Sequence, residues 1–233
     1  MRVEPHTVDS YVHAMKRGAR GMSITKNDKD QRRFLRLLCH MNDRFKDEYW
    51  EKNTAELGLF ERPQSWPEKQ PLVKILAWTL MPNHFHLLLR ESVEGGISKF
   101  MQKLCNSMTT YHNLKYREKG SLFQGAYKGK TVNEDTYLRW LASYIMVKNV
   151  FELCPGGLVA AADNFDAAWS WAIEYRFSSF ADYAVAGKES PIIEKDILGE
   201  LFPTPKEFKA SACEIILSRA WEKDRNLKSL VAE

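Results

Sequence analysis

Two extended apolar runs, LVKILAWTL from Leu72 to Leu80 and HFHLLLR from His84 to Arg90, are separated only by Met81, Pro82 and Asn83. Residues of this type on either side of a Pro-Asn break predict a buried β-hairpin. A hairpin this apolar is not stable alone and needs further strands or helices against it. The 233 residues, 44% of them apolar and 12% aromatic, are enough to bury a sizeable core around it, so a folded domain is expected.

The flanking segments supply the partners. Ser10 to Lys16 alternates Tyr11, His13 and Met15 with Val12 and Ala14 and predicts a first strand ending in the RGARG turn. Asn27 or Asp28 can cap a helix in which Phe34, Leu37, Leu38, Met41 and Phe45 follow the helical period. The polar stretch 48–70, with Pro63 and Pro67, reads as a connector holding at most a short helical turn. Gly95 and Gly96 precede a helix from about Ser98 to Tyr116, and a short strand is expected near Tyr127 to Val132. Asn133 is placed to cap a further helix with Tyr137, Leu141, Tyr144 and Lys148 in one row. The first six elements match an α+β, ferredoxin-like split βαβ plan: an antiparallel sheet with helices on one face. Residues 8–155 are assigned to this domain and 156–233 to a C-terminal helical extension, with Trp169 and Trp171 as packing residues and a final helix from about Lys206 to Leu230.

Charge and cysteine content narrow the setting. Lys and Arg (34) exceed Asp and Glu (30) by four, which permits a phosphate-bearing partner without requiring one. Cys39, Cys105, Cys154 and Cys213 lie far apart, with no C-x-x-C pair, and are expected to be reduced thiols of a cytoplasmic protein. The most apolar stretch is interrupted by Lys74, Pro82, Asn83, His84 and His86, so no membrane span is expected.

His84 and His86 stand two apart in a predicted strand, so both imidazoles leave one face and can meet one divalent cation. Taken alone, the pair can equally be two histidines hydrogen-bonded on a sheet. Its surroundings are more specific: AWTLMPNHFHLLLRE (Ala77 to Glu91) resembles the M-P-N-H-x-H-L-L signature of the HUH single-tyrosine transposases, most of all the REP-associated tyrosine transposases. SYVHAMKRG, KNDKDQRRFLRLL, SLFQGAYKG (Ser121 to Gly129) and LASYI (Leu141 to Ile145) continue the resemblance in the same order over roughly residues 10 to 150, and YRFSSFADY (Tyr175 to Tyr183) adds a weaker match.

The resemblance implies the HUH endonuclease fold, a cofactor that is Mg²⁺ or Mn²⁺ held by His84 and His86, and Tyr144 as the nucleophile. Without it, Tyr144 is no better a candidate than Tyr137 or Tyr127, since a helical tyrosine is often core. The implied chemistry is nicking of single-stranded DNA with hairpin or palindromic ends through a 5′-phosphotyrosine link, by a monomer or a homodimer. The sequence departs from the family four residues after the tyrosine, where Asn or Gln is usual and Lys148 stands, with Asn149 next and Val150 in place of proline. Lys148 cannot ligate a cation when protonated but can contact phosphate, whereas Asn149 can regain the third ligand place if the helix bulges or ends there.

Lys128 and Lys130, beside Gln124 and Tyr127, can bind the DNA backbone and stack a base, or form a solvated strand edge; Arg17 of the RGARG turn is a further candidate phosphate contact. Two other function classes remain. A nucleic-acid-binding protein of this fold without cleavage is motivated by Lys148. An RNA-binding split-βαβ module would need an aromatic strand of the K-G-F-G-F-V kind, which the chain lacks.

Overall fold

The computed structural model describes residues 7–132 and 134–218. Four strands, β1 (Tyr11–Arg17), β2 (Val73–Leu80), β3 (His84–Glu91) and β4 (Lys128–Val132), form one antiparallel sheet in the order β2-β3-β1-β4. With α1 (Asp28–His40) between β1 and β2 and α3 (Gly96–Tyr116) between β3 and β4, this is the α+β split βαβ arrangement. A single turn, α2 (Trp50–Asn53), sits in the connector between α1 and β2.

Strand alternation divides the sheet into two faces. Val12, Ala14, Ile75, Trp78, Leu80, Phe85, Leu87 and Leu89 point one way and bury themselves against Phe34, Leu37 and Leu38 of α1 and Phe100, Leu104 and Met108 of α3. The two helices are tied at their ends by Asp30, a buried carboxylate that accepts hydrogen bonds from Tyr111 (3.1 Å) and Tyr116 (2.6 Å) and pairs with Lys115. α1 starts at the Asn27 cap, whose side chain accepts the Asp30 N–H. Gly96 opens α3 where a Cβ would lie 2.2 Å from the Leu72 carbonyl oxygen, so the helix approaches the hairpin this closely only because the residue is glycine.

α1 is shorter than its hydrophobic pattern predicts: it ends at His40 with Met41 as its cap, and Phe45 lies beyond it, partly exposed. The reason lies in Asn42. Its side chain accepts from the N–H groups of Leu72 and Val73 and donates to the Val73 carbonyl, which anchors the start of β2 and competes with helix continuation. Asn133, expected to cap the helix after β4, lies outside the described residues.

The opposite face is covered by the helices C-terminal to β4. α4 (Asp135–Ser143) runs into a π turn (Tyr144–Lys148) and α5 (Asn149–Glu152), succeeded by α6 (Gly157–Asp163), α7 (Phe165–Glu174), α8 (Phe180–Ala184), α9 (Ile197–Leu201) and α10 (Pro205–Ser218). Leu76, Ala77 and Leu88 pack there with Leu141, Ile145, Phe151, Trp169, Phe180 and Phe208. Both Leu76 and Ala77 reach this side because the β2–β3 register shifts between Ile75 and Ala77. The helices of the split βαβ plan thus share one face as expected, and the C-terminal helices cover the other. The final helix is described to Ser218; Trp221 and the rest of the predicted helix lie outside the described residues.

The same C-terminal segment closes the free edge of β2. Leu80 donates to the Phe177 carbonyl, Ser179 donates to the Trp78 carbonyl, and the Ser179 hydroxyl accepts from Trp78 N–H. Tyr183 and Tyr175 donate from their hydroxyls to the Leu76 and Leu80 carbonyls. All four cysteines are free thiols. No single helix among the described residues is long and apolar enough to cross a membrane.

Replacing Asn42 with Ala leaves buried backbone groups of β2 without partners, at a cost of about 1–3 kcal/mol. Urea unfolding of Asn42→Ala is expected to show a loss of that size; a loss within error of zero would contradict the anchoring role.

Candidate active site

Register sets which side chains meet. Met15 is opposite His86, Arg17 opposite His84, and Thr79 opposite His86, so all five leave the sheet on the face covered by the C-terminal helices. His13, two residues before Met15, shares that face, and so do Lys128 and Lys130 of β4. The imidazoles of His84 and His86 lie edge to face with centroids 5.0 Å apart.

Tyr144 comes to this pair from above. Its ring meets His86 edge to face at 5.9 Å, so one chain supplies both histidines and the tyrosine. The helix that carries it is held by Thr79, whose hydroxyl donates to the Ile145 carbonyl at 2.5 Å. Here the chain makes its π turn: the Asn149 N–H bonds to the Tyr144 carbonyl, an i→i+5 closure. In a regular α-helix Asn149 would lie about 140° round from Tyr144. The wider turn absorbs the extra residue and rotates Asn149 back towards the side of the helix that carries the tyrosine.

The neighbours of the site differ in role. Asn149 is buried, and its Nδ2 has no hydrogen-bond partner. Lys148 turns to Glu152, with which it forms an ion pair at 2.6 Å, and its ammonium lies 5.2 Å from the centre of the Tyr144 ring. His13 and His86 share a buried hydrogen bond, Nε2 to Nδ1, of 2.8 Å. His84 Nδ1 is 2.6 Å from the Asn83 side-chain oxygen. That leaves His86 Nε2 buried without a hydrogen-bond partner. A buried, unpartnered imidazole nitrogen of this kind fits a divalent cation when the ring proton sits on Nδ1, which leaves Nε2 a free lone pair.

Electrostatics keep these imidazoles neutral. Burial, with Arg17 nearby, lowers the His84 pKa to about 4; burial and the neighbouring histidines hold His86 well below the ordinary range. Burial and Lys130 lower His13 to about 3. Burial and the Glu152 carboxylate raise the Tyr144 phenol above its ordinary value, and Arg17 opposes them. The resting site therefore holds neutral imidazoles and a protonated phenol at neutral pH.

Not every expected residue joins this centre. Arg17 and Lys148 do, through the electrostatic couplings above, and Lys130 lies beside it, 5.6 Å from the centre of the Tyr137 ring. Tyr127 does not: it packs with the α3 side of the molecule and its hydroxyl is 3.2 Å from that of Ser98. Gln124 is exposed, and its N–H continues the edge of β1 by bonding to the Arg17 carbonyl. The structure adds Thr79, Glu152, His13 and Trp140. Trp140 stacks on Tyr144 at 5.6 Å and 20° and on Tyr137 at 5.6 Å and 18°, so three rings run in line from β4 to the centre. The i, i+3, i+7 spacing of Tyr137, Trp140 and Tyr144 carries that signal in the sequence. A cavity of about 630 Å³, lined by His40, Trp50 and Trp66, holds none of these residues.

Residues 64–148 match the family model described as "Transposase IS200 like". The matched stretch contains His84, His86 and Tyr144 and ends one residue before Asn149, where the π turn closes. The matched stretch is about a third of the chain, and over it the chain is similar to transposases of that family. Among solved structures, the chain is similar to one titled as a REP-associated tyrosine transposase bound to a REP hairpin. Identity is 14%, the TM-score is 0.45, and the match covers 83% of this chain and 90% of that one. No curated protein matches the chain.

Because His13, His84 and His86 all bind protons less readily folded than unfolded, the unfolded chain takes up more protons as pH falls below about 6.5. Stability of chelator-treated protein is therefore complete above that pH. It is expected to fall towards pH 4, by up to about 1.4 kcal/mol per pH unit for each histidine. His86→Gln should reduce the slope by about one proton in urea unfolding across this range; an unchanged slope would contradict the assignment.

Proposed function

From the IS200-like segment as premise, we propose that this protein nicks and rejoins single-stranded DNA with hairpin or palindromic ends, using Tyr144 as nucleophile and a divalent cation, Mg²⁺ or Mn²⁺. The observation that carries the reading is the contact of the Tyr144 ring with His86 on the face that also presents His84. His84 and His86 would hold the cation, and buried Asn149 would complete the site as a third ligand. When bound, the cation neutralises charge on the scissile phosphate, which a phenol with a raised pKa needs in order to attack.

The Tyr144 oxygen attacks phosphorus in line. A tyrosine O–P bond forms as the P–O3′ bond breaks; the phenol loses its proton and the leaving 3′ oxygen gains one. The 5′-phosphotyrosine link conserves the phosphodiester energy, so a second 3′-hydroxyl can attack it, release Tyr144 and join strands without ATP. Arg17 stabilises negative charge on the phenolate and the phosphate, since its guanidinium pulls the Tyr144 pKa down. Lys148, moved off the ligand position, supports the phosphate through its charge. The Tyr137–Trp140 stack, with Lys130 over its outer ring, offers a strand its bases and backbone a track towards Tyr144.

Incubation with a hairpin-bearing single strand and Mn²⁺ should give a covalent protein–DNA adduct on a denaturing gel. Tyr144→Phe should abolish it, and His84→Ala and Asn149→Ala should each lower its yield at least about tenfold. DNA binding that falls with salt, with no adduct from the unmodified protein, would instead assign the chain to non-cleaving binding proteins.

A further inference from the structure

His13 belongs to neither the histidine pair nor the tyrosine motif, yet it is almost fully buried and is hydrogen-bonded directly to His86. Its Nε2 lies 2.8 Å from His86 Nδ1, with the two rings stacked at 5.1 Å and 22°. The outer nitrogens of the pair, His13 Nδ1 and His86 Nε2, are both buried without hydrogen-bond partners. Two neutral imidazoles joined in this way have two arrangements. In one, His13 Nε2–H donates to His86 Nδ1, and His86 carries its other hydrogen-bonding function as a buried, unpartnered Nε2–H. In the other, His86 Nδ1–H donates to His13 Nε2, His13 carries its proton on Nδ1, and His86 Nε2 is a bare lone pair.

Each arrangement strands one donor and one acceptor, so the apo pair has no strong preference on hydrogen-bond grounds. Only the second can ligate a cation. We propose that His13 is a positioning residue that accepts the His86 Nδ1 proton, fixing His86 in the Nδ1–H tautomer so that its Nε2 faces the cation, and that cation binding switches the pair into this state. The inference rests on the proposed cation site and deepens it. His13 is not itself a ligand, because its Nε2 is occupied by His86. The register explains its position: it comes from β1–β3 pairing, in which Met15 faces His86 and His13 lies diagonally across.

The test reads cation binding without DNA, so it can fail while the adduct of the proposed reaction persists. Mn²⁺ affinity, measured by electron paramagnetic resonance, is expected to fall about 10–100-fold in His13→Phe, which keeps a ring but no acceptor. His13→Gln, whose side-chain oxygen can accept the same proton, should recover most of the affinity. Thermal melting of both variants separates this from loss of fold. In ¹⁵N-histidine-labelled protein titrated with Zn²⁺ as a diamagnetic probe, His86 should show a protonated Nδ1 and a metal-bound Nε2. His13→Phe binding Mn²⁺ as tightly as the unmodified protein would overturn the proposal. So would a His86 Nε2 that stays protonated with the ion added, or an unmodified protein with no measurable Mn²⁺ affinity.

Discussion

A single backbone hydrogen bond, from the Asn149 N–H to the Tyr144 carbonyl, governs the geometry of the centre. Five residues along a regular α-helix carry a side chain well away from its starting face; five residues through a π turn nearly restore it. Without that closure the extra residue would put Lys148 alone on the tyrosine's side and send Asn149 elsewhere. With it, Lys148 pairs with Glu152, and Asn149 is buried with its amide nitrogen unpartnered. Such turns cost hydrogen-bond regularity, and Thr79 offsets part of that cost by donating to the Ile145 carbonyl from the neighbouring strand.

The rest of the molecule keeps this turn over the histidines. One sheet face is committed to α1 and α3, whose side chains fill it with Phe34, Phe100 and their neighbours. The other face is half apolar core and half polar: Leu76, Ala77 and Leu88 seat the C-terminal helices, while His13, His84, His86 and Arg17 lie on the same face. The segment around Phe177 and Ser179 serves both ends of this arrangement. It pairs with the open edge of β2 and leads into the helix that packs Phe180 under Phe151, just after the π turn. The tail is therefore part of what holds Tyr144 in place.

Much of this is legible in the residues alone. The apolar hairpin, the alternation in SYVHAMK and the two periodic helices predict the split βαβ order, and the M-P-N-H-x-H run with SYI singles out His86 and Tyr144, whose rings lie 5.9 Å apart, and His84, 5.0 Å from His86. Other features are hidden because they depend on pairing or competition. His13 shows strand alternation but nothing in its own segment says that β1 will lie beside β3 with Met15 opposite His86. Phe45 continues the helical period of α1, but Asn42 forms bonds across to β2 and the helix stops first. Tyr127 stands next to the basic residues of its loop in sequence but not in space. β4 starts at Lys128, which puts the lysines on the histidine face and the tyrosine on the other. The displaced asparagine can be read as an insertion, but its accommodation by a π turn rather than a helix end is a tertiary outcome.

The claim at the centre of this account is that two imidazoles, a helical asparagine and a tyrosine converge on one cation. Anomalous diffraction from crystals soaked in Mn²⁺ measures that directly. The account predicts one strong peak within coordination distance, about 2.0–2.4 Å, of His84 Nε2, His86 Nε2 and the Asn149 side-chain oxygen, beside the Tyr144 ring. A peak bound elsewhere with this triangle left open, or a peak on the histidines with Lys148 in the place of Asn149, would contradict it.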